Sequence, residues 1–149
     1  MDAETLAVLR GSLAQLIASK VDVAEIFYRR LFELAPGVRS LFKPDLSEQR
    51  KKLITALVQI VAWADQPQQL TGYLQRMGAR HTGYGTLPEH YDVVGAVLLW
   101  TFDRALGPEF TPTVREAWTI AYKLVATIMR EGAVATSPTL PRIEPVAGI

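Results

Sequence analysis

The sequence predicts an all-α domain, and three observations carry that reading. Apolar residues recur at three- and four-residue intervals along nearly the whole chain. No stretch alternates polar and apolar residues between hairpin turns, so strands have no place to form. Prolines and turn residues punctuate the periodic stretches. With 149 residues, 49% of them hydrophobic, the chain has enough apolar mass for one ordinary domain without disulfides, and it contains no cysteine.

The first helix is expected from about Ala3 to Ala18, ending near Ser19-Lys20, and the second from about Asp22 to Leu34. Its apolar stripe is Ala24, Phe27, Tyr28, Leu31 and Ala35, and it stops before Pro36-Gly37. Pro36 opens a brief helical turn through Leu41 and Phe42, and Lys43-Pro44-Asp45 forces a corner. Ser47 or Asp45 caps a longer helix reaching about Trp63, with Gln49, Leu53, Ala56, Leu57, Ile60 and Ala64 on one face. After Asp65-Gln66-Pro67, a helix from about Gln68 carries His81 and ends at Gly83 and Gly85. Pro88 opens Glu89 to Leu106, which Gly107-Pro108 closes. The last helix starts at Thr111 or Thr113, reaches Arg130 and presents Val114, Trp118, Ala121, Tyr122 and Val125. From Ala133 to the end, Pro138, Pro141 and Pro145 predict an extended or disordered tail, leaving residues 1–132 as the domain.

Charge and hydropathy exclude several functions. A net charge of +1 offers no broad attraction to nucleic acid. The longest apolar run, Val93 to Trp100, extended to about ten residues by Thr101 and Phe102, is about half of a bilayer crossing, so no membrane span is expected. The first twenty residues lack the basic start and apolar core of a secretory signal, and a cytoplasmic location is expected. No phosphate-loop glycine pattern or internal repeat is present.

Chemistry concentrates on one of two histidines. His81 lies on the stripe of Leu70, Leu74 and Met77, so its imidazole emerges from an apolar wall. Such a ring either satisfies both nitrogens within the core or binds a metal with one of them. A zinc site made by protein alone needs three or four ligands, which this chain does not supply. A porphyrin provides four donors of its own, and one histidine then completes an axial bond. His90, in the first turn after Pro88, reads as a surface residue. Trp63, Trp100 and Trp118 read as packing residues.

Six strings occur together: Phe27-Tyr28-Arg-Arg-Leu-Phe32, Ala35-Pro36, Ser40-Leu-Phe42, Gly78-Ala-Arg-His81, Pro88-Glu-His-Tyr91-Asp-Val-Val-Gly95 and Ala117-Trp118-Thr-Ile-Ala-Tyr122. In their order and spacing, from roughly Leu6 to Arg130, the chain resembles bacterial single-domain globins and the globin part of flavohaemoglobins. The resemblance implies a three-over-three helical sandwich around haem b, iron protoporphyrin IX, with His81 as the metal ligand. It implies Tyr28 and Gln49 as the distal pair, which favour dioxygen because that ligand takes on negative charge and accepts hydrogen bonds. From the residues alone, Tyr28 reads as a core tyrosine with its hydroxyl on a backbone carbonyl and Gln49 as a side chain rotated outward. Phe42, Leu53, Arg80, Tyr84, Tyr91 and Val94 match haem contacts, although the apolar ones also suit a plain core and Arg80 also suits solvent. Tyr91 and a late glutamate form the proximal hydrogen-bond shell in flavohaemoglobins. Here Glu131 stands about two positions early and Ala133 occupies the expected place, which leaves a backbone carbonyl near Met77 as the partner of His81.

The resemblance therefore implies reversible, high-affinity dioxygen binding for storage, transport or scavenging, with carbon monoxide and nitric oxide as further gaseous ligands. The enzymatic alternative is nitric oxide dioxygenation, in which Tyr28 and Gln49 serve catalysis and a separate reductase supplies electrons. A gas sensor or a haem-free interaction module is a third class, and a monomer or weak dimer is expected.

Overall fold

The computed structural model describes residues 1–136, which form six α-helices and two 3-10 turns and, among the described residues, no strand. The order is α1 (Ala3–Ala18), α2 (Val23–Leu34), a 3-10 turn (Pro36–Leu41), α3 (Ser47–Ala62), α4 (Pro67–Gly83), α5 (Pro88–Leu106), a 3-10 turn (Gly107–Glu109) and α6 (Pro112–Thr136).

Local chemistry starts and stops these helices. Asp2 and Asp22 cap α1 and α2, each accepting a backbone N–H three residues on, from Thr5 at 2.8 Å and Glu25 at 3.1 Å. Pro67, Pro88 and Pro112 occupy first helical positions, where a missing N–H removes nothing and a fixed φ suits the helix. Gly85 and Gly107 take φ of +96° and +56°, a backbone that other residues rarely adopt, and there the chain reverses after α4 and α5. Two boundaries differ from expectation. Leu46 holds the cap position of α3, and Asp45 instead accepts the N–H and hydroxyl of Ser47 at 2.9 and 2.7 Å, which makes a tight turn ahead of the helix. Helix α6 continues through Thr136, so Ala133 is helical; Gly132 sits directly on α4, and that packing carries the helix beyond Arg130. The rest of the expected tail lies outside the described residues.

Helices α1, α3 and α4 form one layer, crossed by a second of α2, α5 and α6. Helix α4 lies chiefly on α6, and α2 on α5. Two apolar clusters result. The larger gathers α1, α2, α5 and the middle of α3 around Leu9, Phe27, Leu53, Val97 and Phe102; the smaller joins α4 to α6 through Leu70, Leu74, Met77, Val125 and Met129. A cavity draws its walls from both. Across the larger cluster, the Trp118 indole N–H donates to the Ser12 hydroxyl at 2.8 Å, and that hydroxyl donates to Val8 O at 2.7 Å. The bond ties α1 to α6 where neither group reaches water. No helix among the described residues is long and apolar enough to cross a membrane.

Candidate functional site

Helix α4 delivers His81 to the cavity wall because Leu70, Leu74 and Met77 on the same stripe are buried, turning that face inward. The ring is only 6% exposed. Its Nδ1 stands 2.7 Å from Met77 O; a carbonyl only accepts, so Nδ1 carries the proton and donates it. Nε2 is then a bare lone pair, buried and with no hydrogen-bond partner. Burial holds the imidazole neutral, pushing its pKa down to about 4 against the smaller opposing pull of the Met77 carbonyl. An unprotonated ring nitrogen buried in an apolar cavity has the chemistry to give its lone pair to a metal.

Helix α2 brings Tyr28 to the same cavity. Rings pack around it: Phe27 edge-on at 4.9 Å and Phe42 at 5.7 Å between centroids, with Phe32 at 5.5 Å from Phe42. From α3, Gln49 donates its Nε2–H to the Tyr28 hydroxyl at 2.7 Å. The two side chains are 2% and 1% exposed, so this bond is shielded from water. Burial raises the Tyr28 pKa well above the ordinary phenol range, the Gln49 bond opposing only weakly, and the phenol stays protonated. Its oxygen already accepts from Gln49, so its own proton is available to a third group.

The cavity measures about 120 Å³, and Phe42, Leu53, Tyr84, Tyr91 and Val94 line it as well as Tyr28 and His81. Gln49 lies behind Tyr28 and is not among the lining residues. At His81 and Tyr84 the cavity meets a cleft of about 400 Å³ between α3 and α4. This second space is of mixed lining: Lys51, Lys52, Arg80 and Tyr73 wall it together with Glu48, which pairs with Lys51 at 3.7 Å, and with Ala56 and Met77. Arg80 therefore belongs to the mouth of the site, where its charge partly offsets the burial that raises the Tyr73 pKa.

The proximal surroundings depart from the implied pattern of Tyr91 and Glu131: the ring beside His81 is that of Tyr84, at 5.9 Å between centroids, and Met77 O takes the His81 N–H. Glu131 is exposed and is not brought to His81, whose N–H is taken by Met77. Arg130, its neighbour, lies along the partly exposed flank of α5: its guanidinium is 5.0 Å over the Tyr91 ring and donates to Pro88 O at 3.2 Å and to Asp92 at 3.3 Å. The Tyr122 hydroxyl donates to Tyr91 O at 2.5 Å, fixing α5 against α6 below the cavity. His90 is half-buried, not a free surface group: its Nδ1 accepts the Leu87 N–H at 3.0 Å and its side chain edges the cavity. The spacing of three residues from Leu87 across Pro88 is the pattern from which that cap is readable.

A helical sandwich with a buried imidazole and a buried tyrosine hydroxyl on one cavity defines a class, and comparison identifies it. The globin family model matches residues 25–129, and the chain belongs to the globin family. It is 32% identical over 136 residues to a flavohemoprotein of Vibrio cholerae, covering 87% of this chain and 34% of that protein. The chain thus spans about a third of the flavohemoproteins it matches. It is 29% identical to a neuroglobin of Tetraodon nigroviridis over 138 residues, covering 83% of this chain and 87% of that one. An engineered carbene transferase from Rhodothermus marinus superposes with a TM-score of 0.80 at 29% identity, covering 91% of this chain and 94% of that one.

Haem is the cofactor of globins, and the residues here fit it. The buried, partnerless Nε2 of His81 suits an axial bond to iron, the apolar walls suit a porphyrin face, and the cationic cleft suits its carboxylates.

Proposed function

We propose that this chain is a haem protein that binds dioxygen reversibly and releases it slowly, with His81 as the axial ligand and Tyr28 as the hydrogen-bond donor to the gas. Haem b, when bound, would supply the iron centre at which diatomic gases bind. Everything else falls to side chains. Donation from Nδ1 to Met77 fixes the tautomer and ring direction of His81, so Nε2 faces the cavity as a lone pair. Gln49 holds the Tyr28 oxygen, which orients the phenolic proton away from Gln49 and strengthens it as a donor. In a dry cavity such a donor favours a ligand that gains negative charge by about 1–3 kcal/mol, and carbon monoxide gains less. Release of dioxygen slows roughly tenfold or more. Lys51, Lys52 and Arg80 line the cleft at the mouth, with Glu48 beside Lys51, and their excess positive charge supports carboxylate binding there.

One observation carries this reading: a single cavity holds an imidazole nitrogen without a partner and a tyrosine hydroxyl whose proton is uncommitted. Purified protein reconstituted with haem is expected to show an intense Soret band with an imidazole-ligated ferrous spectrum that His81→Ala abolishes. Tyr28→Phe is expected to speed dioxygen dissociation at least tenfold. An imidazole-ligated spectrum persisting in His81→Ala defeats the reading, and an unchanged off-rate removes Tyr28 from it.

The flavohemoprotein relatives favour a second reading, nitric oxide dioxygenation at the same site. Nitric oxide, dioxygen and one electron give nitrate, and the electron must come from a reductase. Against it stands the neutral carbonyl partner of His81, which lends the ring less electron density than a carboxylate does. Mixing oxygenated protein with nitric oxide and a reducing cell extract separates the two: sustained nitrate production per haem selects the enzyme, and a halt at one nitrate per haem selects the carrier.

A further inference from the structure

We propose that Gly78 and Gly132 are positioning residues for His81: lacking side chains, they let α4 rest backbone-on-backbone against α6, which sets where the free imidazole nitrogen stands in the cavity. The inference rests on the reading of His81 as the axial ligand.

The contact is reciprocal. A Cβ built on Gly78 falls 1.9 Å from Met129 O and 2.8 Å from its Cα; one built on Gly132 falls 2.2 Å from Gln75 O and 2.7 Å from its Cα. Three residues forward on α4 answer to three residues back on α6, so the helices run antiparallel with two notches facing two backbones. Every one of those atoms is main chain inside a helix. No rotamer change can move them aside, and a methyl group at either notch must spread the helices by on the order of 1 Å to reach ordinary van der Waals separation.

The spreading reaches the cavity through His81. Gly78 is one turn before it on α4, and the ring is bound to its own helix by the 2.7 Å bond from Nδ1 to Met77 O. With that bond made, the imidazole cannot swing independently to restore its reach; it travels with α4. Tyr28, Phe42 and Leu53 line the cavity from α2, α3 and the segment between them, outside the α4–α6 contact, whereas α6 contributes Val125 and Met129. A shift of α4 therefore alters the reach of Nε2 relative to the rest of the pocket, in a system where misplacement by about 1 Å is chemically large. Gly11, by contrast, has nothing within 4 Å of a built Cβ.

The test compares G78A, G132A and G11A as full-length, haem-loaded proteins. In the ferrous, ligand-free state, resonance Raman spectroscopy reads the iron–imidazole stretch, and transfer to an acceptor apoprotein reads haem loss. G78A and G132A are expected to shift the stretch and to speed haem loss roughly tenfold; G11A is expected to change neither. Each alanine is then placed in a His81→Gly background supplied with free imidazole, where the ligand is detached from α4. The stretch should there be the same with and without G132A. An unmoved band in both alanine variants overturns the proposal, as does a shift that survives in the detached-imidazole background. Failure of both variants to reach the wild-type helical circular dichroism also overturns it, since the glycines would then serve folding instead of ligand placement. A His81→Gly protein that keeps its imidazole band without added imidazole refutes the ligand assignment itself, a result distinct from the others.

Discussion

His81 shows how two nitrogens of one ring acquire different chemistry from their surroundings. The one with a carbonyl neighbour keeps a proton, and the other keeps a lone pair, because burial makes a second proton unfavourable. A pH dependence follows for the haem-free chain. The folded-state pKa is depressed from 6.5 to about 4, so between those values the unfolded chain binds more protons than the folded one. Stability from this residue is complete above pH 6.5 and is lost as pH falls toward 4, by about 3 kcal/mol. Urea midpoints of the haem-free protein across this window should decline more steeply than those of His81→Leu; parallel slopes would remove His81 as the cause. Although Gln49 read from the residues alone as turning outward and is instead buried against Tyr28, the stripe positions of His81, Tyr28 and Gln49 were legible from helical spacing. Their division of labour was not: a stripe says which side faces the core, and only the assembled walls put Gln49 behind Tyr28 and leave Nε2 without a partner. The same limit applies to Glu131, which is exposed while its neighbour Arg130 covers the Tyr91 ring.

Among the helices, the ends carrying an aspartate cap or an opening proline were readable because those residues act on adjacent backbone. Asp22 and Pro88 are examples. Two ends were not readable for a common reason. The start of α3 turns on which of two competing polar side chains closes the loop, and the reach of α6 turns on contact with a distant helix. His90 belongs with the helix ends as well. By accepting the Leu87 N–H it satisfies one of the donors that the first turn of α5 leaves unpaired. His90→Ala is expected to lower stability by about 1 kcal/mol, seen as a drop of a few degrees in the thermal midpoint; an unchanged midpoint would show that water replaces the cap without loss.

Across the whole molecule, the helix count and the all-α class were legible in the periodicity. The pairing of layers was not, because it depends on contacts such as Ser12 with Trp118, 106 residues apart. Ser12→Ala should strand the buried indole N–H and destabilise the fold by about 1–3 kcal/mol, measured as a lowered urea midpoint. A loss near zero would mean that another acceptor rotates in. The ion pairs seen at the surface, among them Arg10 with Asp65 and Arg115 with Asp103, join half-exposed side chains and add little. Stability rests on the interior.

That interior is divided, and the division has a cellular consequence. Between the two apolar clusters lies the space that the porphyrin would fill, so the prosthetic group doubles as mortar between them. A ligand present at a thousand times its dissociation constant adds about 4 kcal/mol to a fold that binds it only when native. In a cell starved of iron, newly made chains would lack that increment and open more often to proteases. The steady-state amount of this globin would then follow tetrapyrrole supply without any transcriptional control.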